Sequence, residues 1–240
     1  MPLTIDAPPP KPSNPRGSSS SRHPLTEGDV ARARLSPLKD ACFTANVLGA
    51  QACSALKEDP DAGEVTLPET CKRCMNEAVP LIAEQTLGRR AAVRWTMPSE
   101  AEEDPRLSVP AEGKGRPRIG LLGNPLLVFE PLMNDDAIAL IESLGCQVVL
   151  PEEHALYAED VSYLDQLDRF HELGVDHVIY LQSFGCVKGH VHARGQLHRF
   201  AERFPDMPIT VIDHDPESSA LNRENRIRLI VEAAKRRTRV

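Results

Sequence analysis

Arg118-Ile119-Gly120-Leu121-Leu122-Gly123-Asn124-Pro125 is the stretch on which the fold turns. Arg118 to Leu122 is a short, mostly apolar run, and Gly123-Asn124-Pro125 closes it with turn residues, so it reads as a buried strand. The same pattern recurs at Cys146 to Leu150, Val178 to Leu181 and Ile209 to Ile212. Amphipathic helical stretches lie between these runs. Asn134 is placed to cap a helix whose Ile138, Ile141 and Leu144 share a face, with Gly145 as the stop. Further helical patterns cover about 158–173, before Gly174, and about 190–203. The last, 217–236, has Asp215 as its expected cap, Pro216 in its first turn, and Ile227, Ile230, Val231 and Ala234 as its apolar stripe. Strands alternating with helices predict an α/β fold over 118–240, with an open, mostly parallel sheet of the Rossmann or flavodoxin kind.

That sheet decides where ligands would bind. Right-handed crossovers put the carboxyl ends of parallel strands along one edge. The turns Gly123-Asn124, Ser183-Phe184-Gly185-Cys186 and Asp213-His214-Asp215 therefore meet. Gly123, Asn124, Ser183, Gly185 and Asp213 are expected to line a pocket there, where amides at helix starts would suit a CoA-linked or other anionic ligand. The Gly120–Pro125 stretch matches neither the dinucleotide fingerprint nor the P-loop.

Upstream the composition changes. Residues 1–28 carry Pro8-Pro9-Pro10, Pro12, Pro15 and a run of serines from Ser18 to Ser21, too little apolar surface to offset ordering, and are expected to be disordered. A smaller cysteine-rich region follows at 29–97, then a linker rich in proline, glycine and acidic residues at 98–117. Within the first region, the residues from Cys74 read as partly helical towards Gly88, with Pro80 in an early turn or as a break, and Ala91 to Trp95 as a short strand.

Composition narrows the function. The 28 basic and 35 acidic side chains give a net charge of −7, which argues against nucleic acid as the main partner, and an aromatic content of 4% leaves little for base stacking. No run approaches the ~20 apolar residues of a membrane helix. The N-terminus lacks the apolar core of a secretory signal, so the expected compartment is the reducing cytoplasm. There, clustered thiols point to ligands or redox groups rather than disulfides.

Cys71 and Cys74 form a C-x-x-C pair whose spacing suits one metal. Cys42 lies upstream, and Cys186 ends the turn after a buried strand, so Cys42, Cys71, Cys74 and Cys186 are the candidate metal ligands. The plainer reading is that thiols fill the core as small hydrophobes, which is favoured for Cys146 and evenly balanced for Cys53. A thioredoxin-like redox pair is the competing use of C-x-x-C, but the motif does not follow a first strand. His190, Arg194 and His198 share a helical face near His192; they would bind an anion or donate a proton, though a solvated face is the simpler account.

These residues also resemble a known group. Arg118-Ile119-Gly120, the segment Phe129-Glu130-Pro131-Leu132-Met133-Asn134 and Leu144-Gly145 are similar to the strand, loop and helix of 2-hydroxyacyl-CoA dehydratase-type proteins and the cysteine-rich regions associated with their ATP-dependent activases. Val178 to Cys186 resembles their strand ending in a Phe-Gly-Cys turn, Glu69-Thr70-Cys71 their cysteine segment, and Ile209 to Asp215 with Asn222 to Ile230 their closing strand, acidic turn and helix. The resemblance spans about 41–236. It implies an iron–sulfur cluster, of the 4Fe-4S type, held by cysteines from separate parts of the fold, with Cys71 and Cys186 foremost and Cys42 and Cys74 next. It further implies one-electron chemistry on acyl-CoA thioesters, an acyl-CoA ligand, and an ATP-dependent activator or dehydratase subunit as partner. The chain is short for the two lobes of such a lyase subunit and lacks the activator's glycine-rich phosphate motifs, which leaves open whether it catalyses by itself. The alternative is a non-catalytic α/β module with structural zinc that binds a ligand or a partner.

Overall fold

The computed structural model describes residues 23–35, 42–68, 72–96, 115–151, 156, 162–186, 190 and 193–238, with backbone alone at 72–74 and 193. Helix α1 (Glu27–Leu35) starts from a reciprocal cap: the Thr26 amide donates to the Asp29 carboxylate at 3.0 Å, and the Asp29 amide donates to Thr26 Oγ1 at 3.3 Å. The His23 carbonyl accepts from Gln51 Nε2 at 2.7 Å. Ordered packing thus begins by His23, which corrects the inner end of the tail expected at 1–28. Residues 1–22 of that tail lie outside the described residues.

Helix α2 (Phe43–Glu58) is buried almost all round as far as Cys53. Such a helix carries no amphipathic period, so its sequence does not announce it. Strand β1 (Glu64–Pro68), helix α3 (Lys72–Leu87) and strand β2 (Ala92–Thr96) follow, and β1 and β2 pair in parallel from Glu64↔Ala92 to Pro68↔Thr96. The cysteine region therefore carries a βαβ unit of its own, where the sequence suggested one helix and one short strand. Pro80 sits inside α3 without ending it. Pro80 has no N–H to donate to the Asn76 carbonyl, and Asn76 is an exposed residue, open to solvent.

Two contacts fix how α2 and α3 run. A Cβ on Gly49 would lie 2.6 Å from the Ile82 side chain, and the Cys53 thiol is hydrogen-bonded to Thr86. One sequence offset relates both pairs, so the helices lie side by side in the same direction. Carried back to the start of α2, that offset sets Cys42 level with Met75, the neighbour of Cys74.

The second half holds β3 (Arg118–Gly123), the short helices α4 (Pro125–Phe129), α5 (Pro131–Asn134) and α6 (Ala137–Ser143), and β4 (Gln147–Val149). Then come α7 (Tyr163–Glu172), β5 (His177–Gln182), α8 (Ala193–Arg203), β6 (Ile209–Asp213) and α9 (Ala220–Thr238). The sheet order is β4-β3-β5-β6, all parallel, with Ile119↔His177 and Val178↔Ile209 in register. Ile119, Leu121, Val178, Ile179 and Leu181 are wholly buried, each worth about 1.5–3 kcal/mol in transfer free energy. One continuous core joins this sheet to Val47, Leu67 and Val79 of the first region. The fold is α/β with parallel sheets.

The residue before α6 is Asp136 rather than Asn134, and its side chain makes no capping bond; Asn134 Oδ1 accepts from the Ala137 amide at 3.1 Å, across Asp135 and Asp136, both left-handed at φ 55° and 54°. The last helix differs from expectation, beginning at Ala220 rather than 217. Pro216 lies in a turn that the Ser218 amide closes onto the Asp215 carbonyl at 3.0 Å, and the Ser219 Oγ accepts from the Asn222 amide at 3.4 Å. The Asp215 carboxylate is engaged elsewhere. Among the described residues, no helix is long and apolar enough to cross a membrane.

Candidate functional site

The carboxyl edge of the larger sheet is assembled by three turns. At the end of β3, Gly123 has φ 138°, and a Cβ there would sit 2.0 Å from the Leu181 carbonyl oxygen. Glycine lets β3 stay paired with β5 to the last residue of β3. The Asn124 amide then donates to that same carbonyl at 3.2 Å, its Oδ1 accepts from the Leu126 amide at 3.0 Å, and its Nδ2 faces Cys186 Sγ at 3.8 Å. Asn124 is thus both the cap of α4 and a donor towards a thiol.

The turn after β5 has a β-turn form. The Cys186 amide donates to the Ser183 carbonyl at 3.2 Å, with Gly185 at φ 83° in the third position. Ser183 and Cys186 are buried, whereas Phe184 is 71% exposed and leans on the His190 ring, centroids 5.1 Å apart. Asp213 ends β6 and accepts from Gln182 Nε2 at 2.5 Å. All five residues expected to line a pocket therefore stand on this edge, with the polar groups of Asn124, Ser183 and Asp213 already hydrogen-bonded within the protein.

Cys42 reaches the same place from the first region. It is the residue before α2, with extended backbone, and its Sγ lies 3.1 Å from Thr44 Oγ1. A Cβ built on Gly185 would be 3.7 Å from Cys42 Cβ, so the start of α2 rests against the Phe-Gly-Cys turn. Cys74 has its backbone in the first turn of α3, at the end of the helix pair that carries Cys42. Cys71 lies outside the described residues. Cys53 and Cys146 are buried apart from this place, and burial pushes both thiols up, which favours the neutral, non-ligating form. Among the described residues, no group of three His, Cys, Asp or Glu side chains forms a metal site. The described part of the site is a pair of neighbouring thiol-bearing segments, with a donor from Asn124 on one of them.

The helical face expected for His190, Arg194 and His198 is solvated. Arg194 Nη1 lies 3.1 Å from His190 Nε2, and His198 pairs with Glu202 at 3.3 Å on the surface. His192 is outside the described residues.

A polar cluster that sequence reasoning did not single out lies beside this edge. Arg223, 4% exposed, donates through Nε to Asp135 Oδ2 at 2.6 Å and through Nη1 to the Ser218 carbonyl at 2.7 Å. Asp135, Arg223, Asp136 and Glu224 line a cleft of about 330 Å3 between α6 and the start of α9. His214 lies 4.0 Å from Asp135 and is buried. Burial, reinforced by Arg223, holds its pKa down to about 4 against the pull of Asp135. His177, hydrogen-bonded to Thr210 at 2.8 Å, is likewise held at about 4 by burial and by Arg237.

The sign of this effect is clear. On acidification the unfolded chain protonates both histidines near 6.5, whereas the folded chain resists until about 4. Between those values each histidine removes up to roughly 1.4 kcal/mol of stability per pH unit. The urea midpoint is expected to fall steadily from pH 6.5 to 4.5, and His214→Gln to flatten that slope. A midpoint indifferent to pH over this range would contradict the buried neutral assignment.

No protein-family model matches the sequence, and no curated protein matches it.

Proposed function

We propose that this chain binds an iron–sulfur cluster, of the 4Fe-4S type, through Cys42, Cys71, Cys74 and Cys186, as an acyl-CoA dehydratase-type subunit or activator accessory. The observation that carries this reading is the approach of Cys42 to the Gly185-Cys186 turn, two cysteine segments far apart in sequence. The common direction of α2 and α3 supports it, because the helix carrying Cys74 starts at the same end. The sheet order β4-β3-β5-β6 is that of the first four strands of a flavodoxin-like fold, in keeping with the α/β lobes of that family.

The residues around the thiols suit an anionic centre. Cys42 sits at the N-terminal, partially positive end of α2, where an anionic group is well placed. The Asn124 amide faces Cys186 Sγ, and hydrogen bonds to sulfur are among the factors that set a cluster's potential. Burial of Cys186 keeps water from it. When bound, the cluster supplies one-electron transfer, on an acyl-CoA thioester or in delivery to a dehydratase partner. An acyl-CoA would meet the edge at Gly123 and Gly185, and an ATP-dependent activator is the partner the resemblance implies.

Anaerobic purification followed by iron, acid-labile sulfide and zinc analysis tests this. Brown protein with matched iron and sulfide is expected. Colourless protein with stoichiometric zinc would overturn the redox reading in favour of a structural tether.

A further inference from the structure

We propose that Asp215 is the positioning residue of the cysteine site, holding the Ser183–Cys186 turn in place against Cys42. The claim rests on the iron–sulfur reading for its consequence in metal uptake and on geometry for the rest. Asp215 Oδ1 accepts two hydrogen bonds from the turn, from Ser183 Oγ at 3.0 Å and from the Phe184 amide at 2.8 Å. These groups flank the peptide that leads into Gly185 and Cys186. A carboxylate accepting two such bonds holds the turn far more firmly than the single 3.2 Å closure from Cys186 to Ser183 can alone.

Asp215 is itself fixed. Its amide donates to Ser218 Oγ at 3.1 Å, and that hydroxyl donates back to the Asp215 carbonyl at 2.8 Å. Buried Arg223 holds Ser218 in turn. The next residue is tied to the first region: Arg34 Nη1 donates to the Pro216 carbonyl at 3.4 Å, and the same guanidinium lies 5.0 Å over the ring of Phe43, which follows Cys42. The turn after β6 thus grips the Cys186 turn with one residue and meets the Cys42 segment, through Arg34, with the next. Two cysteine-bearing segments are set against each other by one acidic turn.

The test compares the full chain with Asp215→Ala and Asp215→Asn. The asparagine keeps the Oδ1 acceptor and loses the charge. Two quantities are read: exchange of the Phe184 amide by NMR, which needs no metal, and iron per chain after anaerobic reconstitution. Asp215→Ala is expected to speed Phe184 exchange at least tenfold and to lower bound iron by more than half, while Asp215→Asn restores most of both. Unchanged Phe184 exchange in Asp215→Ala would overturn the proposal, as would faster exchange with full iron. If the wild type takes up no iron but Phe184 responds as expected, the iron–sulfur reading fails and the positioning of the turn stands. Should Asp215→Ala fail to fold, Ser183→Ala removes one of the two bonds. A smaller rise in Phe184 exchange there supports the proposal, and no rise overturns it.

Discussion

Replacing Gly123 by alanine is expected to cost more than about 4 kcal/mol, a magnitude seen only where a core or backbone constraint is broken. The added Cβ would lie 2.0 Å from the Leu181 carbonyl oxygen and 2.9 Å from its carbon. Both atoms are backbone, so no side chain can swing aside. The residue also has φ 138°, which alanine does not adopt without strain. Relief requires β3 to separate from β5, the central pair of the sheet, at Gly123↔Leu181. That loss is a large part of the ~5–15 kcal/mol by which a domain of this kind is folded. Urea denaturation followed by circular dichroism checks it: a midpoint below half that of the wild type, or no cooperative transition, is expected. A midpoint close to wild type would show that the strands do not meet as described.

Asp135→Ala is expected to cost about 3 kcal/mol, the lower end of the range for breaking a buried ion pair. Arg223 is 4% exposed, and without Asp135 its charge keeps the Ser218 carbonyl but no anion in contact among the described residues. The Asp135 side chain is 34% exposed, which sets the expectation at the low end. Part of the cost is conformational, because alanine tolerates φ 55° less well than aspartate or asparagine does. Asp135→Asn keeps that tolerance and an acceptor, so it should fall between the two. Equal midpoints for wild type and Asp135→Ala would remove the pair from the account.

The sheet was legible because its signal is local. Ile119 to Leu122 and Val178 to Leu181 are continuous apolar runs bounded by turn residues, as strands covered on both faces must be. Helix α2 was not legible: with Phe43 to Cys53 buried on every side, no polar face marks its period. β1 hides behind its terminal Pro68, which reads as a loop until β2 pairs with it. Asp215-Pro216 looked like a helix start, yet the carboxylate is committed to Ser183 and Phe184 in the turn after β5. Propensity cannot see a tertiary partner. The same limit holds for the candidate site. Cys186 stood out by following a strand, whereas its nearness to Cys42 depends on how α2 docks against the sheet. Asp135, Arg223 and Arg34 lie on separate elements and share no spacing that would have linked them.

The central claim, that Cys42 and Cys186 belong to one metal centre, is tested most directly by the iron content of four single alanine variants reconstituted anaerobically. Cys42→Ala and Cys186→Ala are expected to lose most of the iron bound by the wild type, whereas Cys53→Ala and Cys146→Ala, whose thiols are buried away from the sheet edge, are expected to keep it. Full iron in both Cys42→Ala and Cys186→Ala would contradict the account.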